Sequence, residues 1–216
     1  MDLLEMARGP LLDGAAIIFL VGMAIRVGRI LARPRVEVIE GYARPPAESV
    51  LGSFLPWLLP TPRIWRRNPL VPIAGWVFHL GLFVILFGAV GHGLIWGHFF
   101  GVTWRGLPPG VLMWATVITV GALAVLAVNH LANPAMLVLG TPRQLVAHLI
   151  VGLPLVTGLA LAQGWLQPFR LALTVHILSG ELLLVSIPLS RLSHILFFFV
   201  TRTAWGLEAA RRGVRP

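Results

Sequence analysis

The side chains best placed to do chemistry are seven histidines: His79, His92, His98, His130, His148, His176 and His194. His79 and His92 are thirteen residues apart, and His176 and His194 eighteen. On an ideal helix eighteen residues make five whole turns, so His176 and His194 face the same way about 27 Å apart. If the two segments run antiparallel, His79 comes level with His194 and His92 with His176. Two cross-helix imidazole pairs at two depths are what axial ligation of two b-type haems requires, with one imidazole on each side of each iron. Two haems are therefore expected, with one as the alternative. The thirteen-residue step fits less simply, because an ideal helix would turn the imidazoles of His79 and His92 about 140° apart with a rise of about 20 Å. Tilt, or local widening near Gly88, Gly91 or Gly93, would reconcile it. His98 stays open as the alternative outer ligand, at about 28 Å from His79.

Other ionisable residues have narrower roles. Glu181 lies one and a half turns after His176 and is a candidate proton acceptor for quinol oxidation; the plain alternative is a protonated acid bonded to an adjacent helix. Arg191, three residues before His194, is a candidate partner for a haem propionate. His130 and His148 are expected to cap helix ends, meet lipid headgroups or line a quinone pocket.

These residues need elements to position them, and the composition says which. The chain has 216 residues, 57% of them hydrophobic and 12% charged, with mean hydropathy +0.85. A soluble domain is about a quarter charged, and disordered chains are poor in apolar residues, so both classes are excluded. Absence of Cys excludes thiolate-held iron–sulfur clusters, haem attached through C-x-x-C-H, Cys-type zinc sites and disulfides. Five stretches are long and apolar enough to cross a membrane as helices, at about 11–31, 71–97, 111–131, 145–162 and 171–200. The last is long for one span: either Pro188 kinks it or its end projects beyond the bilayer. The expected fold is an all-α integral membrane bundle of five transmembrane helices, forming a single domain over residues 1–216.

The basic residues are all Arg and set an orientation. Arg33, Arg35, Arg44, Arg63, Arg66 and Arg67 lie between spans one and two, Arg143 between three and four, and Arg202, Arg211, Arg212 and Arg215 in the tail. Only Arg8, Arg105 and Arg170 fall on the other side. The positive-inside rule then predicts an outward N-terminus and a cytoplasmic C-terminus in the cell membrane. Trp65, Trp76 and Trp205 fall at the inner boundary, and Trp96, Trp104, Trp114 and Trp165 at the outer one. The opening Met-Asp-Leu-Leu-Glu lacks a basic n-region, so no cleaved signal peptide is expected. The Arg- and Pro-rich loop 32–69 has room for a short surface helix but not a domain. It would meet anionic lipid or dock a cytoplasmic partner. Nucleic-acid binding is not expected, because topology accounts for the charge.

Spans two and five carry a family resemblance. Phe169-Arg170-Leu171, His176-Ile-Leu-Ser-Gly180 and Ile187-Pro-Leu-Ser-Arg-Leu-Ser-His194 resemble the last membrane helix of the respiratory nitrate reductase gamma subunit, a cytochrome b anchor. Phe78-His79-Leu-Gly81 and Gly91-His92 resemble its second-span ligand motifs. The gap between the span-two histidines is three residues longer here. A Gly-His-Phe-Phe-Gly string, which surrounds the outer ligand in that family, stands at Gly97–Gly101 around His98, and the family's quinol-site Lys has no counterpart. The same cytochrome module occurs in sulfur-cycle and heterodisulfide-reductase-like membrane complexes. The resemblance implies an electron-transfer subunit with haem b held by His92/His176 outside and His79/His194 inside. It would exchange electrons between the quinone pool and a cytoplasmic-side iron–sulfur subunit, which serves a separate catalytic subunit. A His/Glu proton-relay transporter, marked by a discontinuous helix at its site, is the competing expectation, and a cofactor-free membrane anchor the third.

Overall fold

The structure is a computed structural model that describes residues 2–32, 46–58 and 68–213. Arg33, Arg35, Arg44, Arg63, Arg66, Arg67, Trp65 and Arg215 lie outside the described residues. The described residues form helices α1 (Leu3–Arg8), α2 (Pro10–Leu31), α3 (Pro46–Leu58), α4 (Leu70–Gly88), α5 (Val90–Phe100), α6 (Pro109–Ala132), α7 (Pro134–Ala162), α8 (Phe169–Leu189) and α9 (His194–Arg211), with a 3-10 turn at Arg191–Ser193. Among them there is no strand, as the composition predicts.

Five segments are long and apolar enough to span a membrane: Leu3–Leu31, Leu70–Gly88, Pro109–Ala132, Arg143–Ala162 and Phe169–Leu189. Only 11% to 28% of each segment's apolar window is buried inside the protein, so most of this apolar surface faces outward. Leu20, Phe83, Leu94, Val128, Leu149 and Leu189 are all exposed. That surface suits lipid as the solvent and would not suit water. The chain is a multi-pass membrane protein.

Two segments differ from the expected continuous spans. The helix expected over 71–97 is interrupted at Ala89, whose ψ of 129° is extended. Gly88, just before the break, lets Leu107 and Leu112 pack where its Cβ would stand. Three carbonyls in the last turn of α4 have partners. Ile85 O accepts from Ala89 N at 3.1 Å and bonds His92 Nδ1 at 3.0 Å. Phe87 O accepts from Trp104 Nε1 at 2.5 Å, and Gly88 O from Leu107 N at 2.8 Å. A break at membrane depth is tolerated only when backbone groups are satisfied in this way.

The helix expected over 171–200 ends at Leu189, so the five-turn argument relating His176 to His194 does not hold. Pro188 supplies no N–H and its ring crowds the preceding turn. Ser190 is extended and its hydroxyl accepts from Leu192 N at 3.2 Å, starting the 3-10 turn that leads into α9.

The chain divides into two compact units, Met1–Ala15 with Pro69–Leu183, and Ala16–Asn68 with Leu184–Pro216. In the first, α4 packs on α6 and α6 on α7. Gly81 sits directly against buried Thr119, whose hydroxyl would collide with any added Cβ. Small residues at such contacts let membrane helices approach closely. A capping box closes the start of α1: Glu5 N donates to Asp2 Oδ1 and Asp2 N to Glu5 Oε2, both at 2.9 Å. In the second unit α3, the helix for which the loop had room, packs on α9. Gly206 lies against the Val50 backbone there, and Ser53 donates to Arg202 O at 2.8 Å.

Candidate functional site

The break at Ala89 decides where His92 points. Because α5 starts afresh at Val90, the ideal-helix angle between His79 and His92 no longer applies. His92 of α5 lies beside His176 of α8, with ring centroids 6.1 Å apart and ring planes 23° from parallel. Two imidazoles bonded trans to one metal at about 2 Å each put their centroids about 6 Å apart, so the pair fits a bis-imidazole site.

Hydrogen bonding fixes which nitrogen each ring offers. His92 Nδ1 donates to Ile85 O at 3.0 Å. On the other side, Thr157 Oγ1, which donates to Leu153 O at 2.7 Å, lies 3.2 Å from His176 Nδ1, and the Pro154 carbonyl also accepts from the ring. Nε2 is thereby left for a ligand on both rings, the usual arrangement around a metal-bound histidine. Ser179, one turn after His176, donates to His176 O at 2.7 Å and lies 3.0 Å from Thr157 Oγ1. Gly158 gives the ring its place: a Cβ there would stand 2.8 Å from His176 Cε1 and 3.2 Å from Nδ1. Thr157 and Gly158 were not among the candidates read from the sequence. The signal was a polar-small pair inside an otherwise apolar span.

His98 is not beside His176. Its Nε2 lies 2.9 Å from Asp13 Oδ1, with both side chains half exposed. The Gly97–Gly101 string around it ends α5: Gly101 is left-handed at φ 68°, and its N–H donates to Gly97 O. The resembling string thus acts as a helix cap here.

Glu181 is buried at 8% exposure, and its Oε1 has no hydrogen-bond partner among the described residues. His79 is exposed in the first unit, with Nδ1 bonded to Gly75 O at 2.7 Å. His194 is exposed in the second, with Nδ1 bonded to Arg191 O at 3.0 Å. In the second unit Arg191 and His194 line a cavity of about 580 Å³ with Arg26, Arg29 and Arg202. Arg26 Nη1 donates to Ser193 Oγ at 2.5 Å on its wall. A pocket with four guanidinium groups suits an anionic group such as a carboxylate.

Among the described residues no three His, Asp or Glu side chains gather as a metal cluster. The imidazoles come as pairs instead. Two protein ligands are too few for a zinc site, which takes three or four, but suffice when a macrocycle fills the remaining positions.

Comparison with known proteins adds one relative. The chain is 29% identical over 219 residues to a protein of Nitratidesulfovibrio vulgaris strain Hildenborough described only as "Protein", covering 95% of this chain and 93% of that one. No protein-family model matches the chain. No solved structure matches it.

Proposed function

We propose that the chain is a cytochrome b subunit of a membrane oxidoreductase, passing electrons between the quinone pool and an iron–sulfur partner. The observation that carries this reading is the His92–His176 pair, 6.1 Å apart with both Nδ1 atoms engaged elsewhere. A haem iron held there supplies one-electron chemistry. The chain's own residues hold, orient and neutralise. His92 and His176 offer Nε2, the Ile85 carbonyl and Thr157 fix the two rings, and Gly158 leaves room for one of them. Glu181 Oε1, buried without a partner among the described residues, is the group we assign to accept a proton when quinol gives up two protons and two electrons. His79 and His194 are assigned to a second, inner haem from the family resemblance, with Arg191 as counter-charge for a propionate. The Arg distribution supports an outward N-terminus. It also supports docking of the iron–sulfur subunit and its catalytic partner on the cytoplasmic face. Proton release outside with electron flow inward would then contribute to the membrane potential.

A quinol analogue added to the purified chain tests the assignment. The expected result is reduction of the haem, slowed in Glu181→Gln. Haem that dithionite reduces but quinol does not would overturn the quinone role. A second reading has its own support: the interruptions at Ala89 and Ser190 and the buried Glu181 suit a proton-relay transporter. That reading predicts a chain without reducible haem.

A further inference from the structure

We propose that His130 and His148 form a further bis-imidazole metal site, between α6 and α7, that takes the iron of a b-type haem. Their ring centroids are 6.0 Å apart and their planes 36° from parallel, nearly the separation of the His92–His176 pair. Nothing in their sequence positions near the ends of two spans requires this. The two helices pack on one another within the first unit, and both rings enter the same interface.

Their hydrogen bonding repeats the logic of the first pair. His148 Nδ1 bonds Gln144 O at 2.7 Å, one turn back on its own helix, so Nε2 is the nitrogen it offers. His130 is 5% exposed, and its Nε2 is fully buried with no hydrogen-bond partner among the described residues. A buried polar atom left without a partner is rare and costly, and an absent metal or ligand is one recognised reason for it. A helix-end cap or a headgroup contact, two of the three roles expected for His130, would leave that nitrogen bonded or wet; the third, lining a quinone pocket, would leave both rings without a shared metal.

The ligand's class follows from what surrounds the pair. No third His, Asp or Glu joins it among the described residues, so a bare zinc ion would lack its usual donors. Iron in a porphyrin needs only two axial imidazoles, which is what the pair provides. His148 and Gly158 are ten residues apart on α7, a rise of about 15 Å. The new site is therefore about 15 Å along α7 from the place where His176 rests. The haem identity rests on the proposed cytochrome function, whereas the metal-binding pair does not.

The test is the haem and metal content of the full chain purified in detergent, as wild type, His130→Ala/His148→Ala, His148→Met and His176→Ala. The double variant should lose one haem per chain while keeping the low-spin signal that His176→Ala abolishes, which also shows that it is folded. His148→Met retains a ligand and should keep the haem with a raised reduction potential, as Met/His ligation does. A full haem complement in the double variant, or an unchanged potential in His148→Met, would overturn the site. If the wild type holds no haem, the cytochrome reading fails separately. A loss of one metal equivalent in the double variant would then uphold the pair as a metal site but overturn its haem, and no loss would overturn both.

Discussion

Gly158→Ala is the smallest perturbation that reaches the proposed ligand pair without touching a ligand. The added Cβ would stand 2.8 Å from His176 Cε1, 3.2 Å from Nδ1 and 3.6 Å from Nε2. An ordinary contact between such atoms is about 3.5 Å, so the imidazole must withdraw by about 0.7 Å. Metal constellations keep their function only within about 0.5 Å of the productive geometry. The same displacement strains the bond from His176 Nδ1 to Thr157 Oγ1, already 3.2 Å long. Losing such an orienting partner costs about 10–100-fold in metal affinity, or about 1.4–2.7 kcal/mol. We expect Gly158→Ala to be purified with the haem of the His92–His176 pair depleted, or with part of it converted to high spin. The assay is haem per chain from the pyridine haemochrome, with electron paramagnetic resonance for spin state. Gly121→Ala is the control, since nothing lies within 4 Å of the Cβ it adds. Full low-spin haem and an unchanged potential in Gly158→Ala would refute the reasoning.

Thr157→Val keeps the volume but removes the hydroxyl beside His176 Nδ1; haem retention should fall about tenfold and the midpoint potential should move. His98→Ala should leave haem content unchanged, because the ring pairs with Asp13 and both side chains are half exposed; such pairs contribute about 0–1 kcal/mol. A lost haem would instead make His98 a ligand. Gly81→Ala should destabilise the chain by about 1–3 kcal/mol through its collision with Thr119. Thermal unfolding in detergent reads this, and adding Thr119→Ala should restore most of the loss. Gly206→Ala would place a Cβ 2.6 Å from Val50 Cα, prising α9 from α3. Limited proteolysis should then cut within 46–58 at least several-fold faster, and an unchanged rate would count against that packing.

The spans were legible because lipid demands about twenty apolar residues in a run, and that demand is written locally. The interruptions were legible in unequal measure. Pro188 marked a disturbance in the last span, read as a kink where α8 in fact ends, whereas the break at Ala89 depends on partners far along the chain, Trp104 and Leu107, which no local pattern reveals. His92 stood among the candidates on spacing and resemblance, but the ideal-helix angle argued against it. The break removes that difficulty by letting α5 take its own direction. His98 was attractive because its flanking residues resemble a ligand motif, yet Gly101 uses that string to end a helix. Thr157 and Gly158 were missed because a hydroxyl and a missing side chain in an apolar run look like ordinary helix packing. The His130–His148 pair was hidden for a simpler reason. Eighteen residues and a helix reversal separate the two, so only packing shows that they meet.

The most direct test of the account is the dithionite-reduced minus oxidised optical spectrum of the purified chain, beside that of His176→Ala. The account predicts a low-spin b-type signal in the wild type and loss of at least one haem per chain in the variant. No reducible haem in the wild type, or a full complement in His176→Ala, would contradict it.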